Sequence, residues 1–172
     1  LVSAGLIFVN TNMSAAVASA FAGDWDLCVF DVGGDAAGAM SLGRYHTDFA
    51  ALEEGQLEVY DIVNVFRPMS ESPDKIIKLK EEMEGFARLK VTGFVNNSNL
   101  LNFASADDIR RGYDVLRETS DMTGIPVAHT TGRKCFLEEF LRDGRDPKYI
   151  GEPIGLETYM HRSWEAFTNL GL

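Results

Sequence analysis

The sequence predicts an α/β protein built on a mostly parallel, doubly wound sheet with helices on both faces. Two observations carry this. Short apolar runs bounded by turn residues recur along the chain, which is how strands buried on both faces read. Longer segments of helical period separate them, and strand-helix-strand alternation implies crossover connections and therefore parallel pairing. A chain of 172 residues fits one domain with a core of ordinary size.

The predicted strands are residues 5–9, 27–31, 59–66, 91–96 and 125–130. Ser72 and Pro73 start one helix, in which Ile76, Leu79, Met83 and Phe86 repeat at three- and four-residue intervals and form one apolar face. Ser105-Ala106-Asp107-Asp108 is a capping box for the next, whose apolar positions are Ile109, Tyr113 and Leu116 and which Gly124 stops. Residues 149–164 read as a short edge strand followed by a partly amphipathic helix. No internal repeat, low-complexity tract or linker interrupts the pattern.

Composition narrows the function. Hydrophobic residues make up 45% of the chain and charged residues 24%, the proportions of a folded globular domain. The net charge of -10 argues against a sequence-independent hold on nucleic acid or an anionic membrane, since both need clustered Lys and Arg. A small ligand or a protein partner is favoured. No apolar run approaches the roughly 20 residues needed to span a bilayer, and the first residues lack the pattern of a signal peptide, so the sequence predicts a cytoplasmic protein. Cys28 and Cys135 have no metal-type spacing and read as reduced thiols.

Ligands of open parallel sheets bind beyond the carboxyl ends of the strands. Asp31 ends one predicted strand, and an aspartate there can hold a water of a magnesium ion. Gly34, three residues on, can bring a bare backbone N–H to a terminal phosphate. The same residues would equally serve as a helix cap and a tight strand-to-helix turn. Asn96-Asn97-Ser98-Asn99 follows another strand, where a side-chain amide can pair with a nucleobase, although Asn and Ser are also ordinary turn formers. His46, His129 and His161 show no ligand spacing and read as structural or surface residues. Arg44 suits either a phosphate contact or solvent. Glu81 to Glu84 form the wet face of their helix.

Taken in order, VFDVGGDAAGAMSLGRY, VTGFVNNSNLL, ADDIRRGYDVL and GIPVAHTT resemble the MinD/ParA/cobyrinic-acid-synthase type of P-loop ATPase, in particular small bacterial members with a D-V-G-G-D segment. The resemblance spans residues 5–131. It implies a P-loop NTPase-like three-layer fold and binding of ATP with magnesium. Hydrolysis would switch a partner or the protein's own assembly, including dimerisation across the nucleotide. Residue by residue, it implies that Asp31 is the magnesium-associated aspartate and that Gly33 and Gly34 form the turn near the terminal phosphate. Asn96 would lie near the adenine, with the backbone after Pro126 on the other side of the base. Asp35 and Arg44 belong to the same segment without an implied chemical step.

One part of the family pattern is missing. Such ATPases carry a glycine-rich loop ending in Gly-Lys-Ser or Gly-Lys-Thr after their first strand, and no Gly-Lys pair occurs in this chain. The sequence therefore predicts that the loop lies upstream of Leu1 and that residues 1–172 are the larger, C-terminal part of the ATPase, inactive by themselves. A phosphate-loop strand beside the Asp31 strand would be central to the sheet, so its removal leaves two strands unpaired. The alternatives are a non-catalytic interaction module that keeps the fold without the loop, and another doubly wound nucleotide or metabolite enzyme.

Overall fold

The structure, a computed structural model, describes residues 4–9 and 19–157, the side chains of residues 4–9 and of Asn102 aside. His161 and the end of the helix read up to Trp164 lie outside the described residues. Among the described residues strands and helices follow one another along the chain. They are β1 (Ala4–Val9), β2 (Leu27–Val32), α1 (Ala36–Gly43), α2 (His46–Ala50), β3 (Tyr60–Val63), α3 (Pro73–Ala87), β4 (Gly93–Asn96), α4 (Ala106–Thr123), β5 (Val127–Arg133), α5 (Lys134–Leu141) and β6 (Glu152–Leu156). Short 3-10 turns lie at Leu101–Phe103 and Pro147–Tyr149.

Every ladder is parallel, as the alternation predicts. The strands nevertheless fall into two sheets among the described residues, one of β1 and β2 and one in the order β3-β4-β5-β6. No ladder joins β2 to β3. In the larger sheet Val63 pairs with Asn96, and Asn96 pairs with Thr130, so β3 and β4 end level with each other while β5 runs on to Arg133.

The local signals act as read. Pro73 opens α3, and Arg88 closes it in the left-handed region at φ 55. The box at the start of α4 forms, with the Ser105 N–H donating to Asp108 Oδ2 at 3.1 Å, and Gly124 caps the helix at φ 73, a conformation that a side chain disfavours. Asp35 caps α1 by accepting from the Gly38 N–H at 2.8 Å.

The helices share one layer. Ile76 of α3 and Leu116 of α4 pack with Val63, Phe94 and Val127 of the sheet, and Ile109 and Tyr113 of α4 pack with Leu137 and Phe140 of α5. Successive strands add in one direction across the larger sheet, and right-handed crossovers then place each connecting helix on the same side. Among the described residues α3, α4 and α5 pack on one face of the larger sheet, and the opposite face carries Tyr60 and Ile62, exposed, with Val95, buried. The same asymmetry appears in β2, whose residues alternate between exposed and part-buried instead of being buried throughout. Phe30 and Val32 turn to the helix side with Leu42 and Phe49, while Leu27, at 53% exposure, and Val29 turn away.

Contact between α1 and α3 links the two sheets. It is close: a Cβ on Gly43 would sit 2.3 Å from the Phe86 carbonyl oxygen.

Candidate functional site

Two groups of residues stand at the carboxyl ends of strands, one in each sheet. On the β2 side, Asp31 is exposed on the strand's outward face, and Gly33 and Gly34 are exposed in the turn into α1. Their glycines have different surroundings. A Cβ on Gly38 would meet the Gly33 carbonyl oxygen at 2.6 Å, so Gly38 is required by packing within the turn. A Cβ on Gly34 would meet nothing within 4 Å, and Gly34 does not have a positive φ. Neither packing nor backbone conformation requires a glycine at position 34. Asp35 serves as the helix cap, and Arg44 lies past the far end of α1, about 12 Å along the helix from the turn at 1.5 Å per residue.

On the β3–β5 side, the four polar residues after β4 form a bonded network. Asn96 is 1% exposed, donates from Nδ2 to the Ile109 carbonyl at 3.1 Å and accepts the Ser98 N–H on Oδ1 at 3.2 Å. Its amide therefore serves the junction of β4 with α4. Ser98 Oγ accepts from the Val65 N–H, and Asn99 Nδ2 donates to the Asn97 carbonyl at 2.8 Å. Asn97 differs from Asn96. It is half-buried, its Oδ1 accepts from Thr131 Oγ1 at 2.8 Å, and its Nδ2 has no bond among the described residues. Asn97 thus offers a donor at the rim, held in place through its oxygen. The alternation of side chains along a strand is the signal that separates the two: Asn96 shares the helix side with Phe94.

Pro126 stands at the opposite edge. It precedes β5, and its carbonyl accepts from the Phe94 N–H at 2.9 Å within the sheet. Asn96 and Thr130 lie at the carboxyl end of the same pair of strands, so Pro126 and the rim do not converge.

Cationic groups near the rim are few. Lys134 opens α5 at the carboxyl end of β5, and the Arg111 guanidinium lies 5.1 Å from the centre of the Phe66 ring. No group of three or more His, Cys, Asp or Glu capable of holding a metal occurs among the described residues. Asp31 and Asp35 are the carboxylates of this turn, and Asp35 is engaged as the cap of α1.

His46 and His129 belong to neither group. His129 sits on the face opposite α4, edge-on to the Tyr60 ring at 5.2 Å and 3.7 Å from Glu152. Both cysteines are free thiols, and burial pushes the Cys28 thiol up.

Comparison of the chain with protein-family models, with curated proteins and with solved structures finds no match.

Proposed function

We propose that this chain is the switch-and-base portion of a MinD/ParA-like ATPase, the kind its motifs imply, binding ATP with magnesium. The observation that carries the reading is the interruption of the sheet. Among the described residues β2 pairs only with β1 and β3 only with β4, so each has one edge without a ladder. A central parallel strand between them would complete one seven-stranded sheet, with the loop after that strand emerging between the Asp31 turn and the Asn97 rim. Such a position, between strand ends of an open sheet, is where a glycine-rich loop holds phosphates.

The roles of this chain's residues follow from their placement. Gly34 gives a phosphate oxygen access to backbone N–H groups, which accounts for a glycine that packing does not need. Asp31 orients water around the ion. Magnesium, when bound, supplies charge neutralisation on the phosphates. Asn97, through Nδ2, gives a base edge a hydrogen-bond donor in the role the motif suggested for Asn96. Pro126 has no part in the site.

The test is hydrolysis by the gene product that includes the coding sequence preceding residue 1. The proposal expects a strand and Gly-Lys-Ser or Gly-Lys-Thr there, and it expects Asp31→Asn to lower magnesium-dependent turnover by a hundredfold or more with the fold intact. Turnover within twofold of the parent would remove Asp31 from the metal site.

A further inference from the structure

The loops that follow β3 and β4 adjoin at the carboxyl end of the larger sheet. Asn64 donates from Nδ2 to the Asn99 carbonyl at 3.1 Å, and the Val65 N–H donates to Ser98 Oγ at 3.3 Å. From this joined base the loops present large apolar side chains to solvent: Phe103 is 87% exposed, Leu101 75% and Met69 55%. Several such side chains on neighbouring loops mark a contact surface, since each forgoes the gain of burial while it stands in water. Leu101 is moreover held at φ 56, in the left-handed region that a leucine disfavours. Its exposed side chain gains no packing in return, and backbone strain kept without local compensation points to a role outside the fold.

Charge selects the occupant. In a chain of net charge -10, residues 97–105 carry no charged side chain, and residues 64–72 carry only Arg67 and Glu71. Glu71 is paired with Lys75. Arg67 is exposed, and Arg111 of α4, also exposed, lies with its guanidinium 5.1 Å from the centre of the Phe66 ring. Neither arginine has an ion pair with a described carboxylate. Contact with the ring fixes Arg111 while leaving its N–H donors for a carboxylate. Aromatic side chains, Met and Arg side by side are the composition of interface centres. A second copy or an anionic membrane would set an extended negative surface against the whole acidic molecule, whereas a short segment responds chiefly to charges within about 10 Å.

We propose that these two loops form a docking surface for a short acidic segment of a partner protein, its carboxylates on Arg67 and Arg111 and its large apolar side chains against Met69, Leu101 and Phe103. The inference is independent of the nucleotide reading, since it needs neither the phosphate strand nor ATP.

The test selects random peptides displayed on phage against residues 1–172. Enriched peptides are expected to combine Asp or Glu with Leu, Phe or Trp. A synthetic copy of one is expected to bind about tenfold more weakly to Phe103→Ser and to Arg111→Glu, while Met122→Ser, exposed at the far end of α4, leaves binding unchanged. Leu101→Asn, which suits the left-handed region, is expected to keep the stability of the parent and to weaken the peptide likewise. Selection that enriches no acidic, apolar peptide, or peptides that bind Phe103→Ser or Leu101→Asn as they bind the parent, would overturn the proposal. Flotation of the parent chain with vesicles of phosphatidylcholine and phosphatidylglycerol, lost in Phe103→Ser, would also overturn it and assign the loops to a lipid surface instead.

Discussion

Asn96 and Asn97 are neighbours of identical chemistry with opposite placements, and substitution separates them. Asn96→Ala leaves the Ser98 N–H without its partner and removes the additional bond to the Ile109 carbonyl. The expected cost is about 1–3 kcal/mol of folding stability, read by chemical denaturation. Asn97→Ala is expected to leave stability within about 0.5 kcal/mol, the range of a surface change, and to weaken ATP binding by the complete protein more than binding of triphosphate. If the two variants lose stability equally, the assignment of Asn97 to the ligand side fails. Asp61 makes a different case. It lies on the helix side of β3, where burial pushes its carboxyl up from 3.8 to about 6 and Lys80 partly opposes the shift. The folded state then holds the proton more tightly than the unfolded chain, so stability falls as pH rises from 3.8 toward 6 and stays lowered above. Asp61→Asn is expected to raise stability at pH 7 by on the order of 2 kcal/mol and to be nearly neutral at pH 4. Denaturation at the two pH values checks this, and a variant less stable than the parent at pH 7 would contradict it.

At the scale of elements, the helix starts and stops were legible because each depends on a few adjacent residues: Pro73, the Ser105 box and Gly124 are all local. The strands of the larger sheet were legible as apolar runs, though the paired segments are shorter at one or both ends than the runs themselves, since only residues with a neighbouring strand join a ladder. Faces were harder. Asn96 reads from sequence as a strand-end residue, and only the sheet register and the position of α4 show that its side chain turns inward. The same holds for β2, whose apolar composition suggested burial on both sides while its outward residues Leu27 and Val29 remain exposed. Close approach of helices was not legible at all. Gly43 reads as one more small residue of the segment, yet it is where α1 meets the end of α3. Gly43→Ala forces a Cβ against the Phe86 carbonyl, a backbone atom that cannot turn aside, and is expected to destabilise the chain by about 1–3 kcal/mol. Gly34→Ala, with open space around it, should cost less than about 1 kcal/mol by the same thermal or chemical unfolding. An equal loss for both would mean that the α1–α3 contact does not hold the two sheets together.

For the whole molecule, the strands form two separate parallel sheets among the described residues, and the proposed function requires a phosphate-holding strand between them. The alternation of elements predicted the parallel pairing, and the lack of a Gly-Lys pair predicted that the phosphate loop would have to come from elsewhere. The division itself needed the structure, because strand order is a property of pairing and not of any segment's composition. Under the proposed function, the chain by itself would offer ATP the Asp31 carboxylate, the Gly34 turn and the Asn97 amide, in a molecule of net charge -10. A polyanion meeting that surface has few cations to hold it; Arg44 is remote from the turn, and Lys134 is the cation best placed to substitute. The most direct measurement is calorimetric titration of residues 1–172 with ATP and magnesium. The account predicts no binding tighter than about 1 mM, roughly -4 kcal/mol. Micromolar, magnesium-dependent binding by this chain alone would contradict it, since the phosphates would then be held without a strand between β2 and β3.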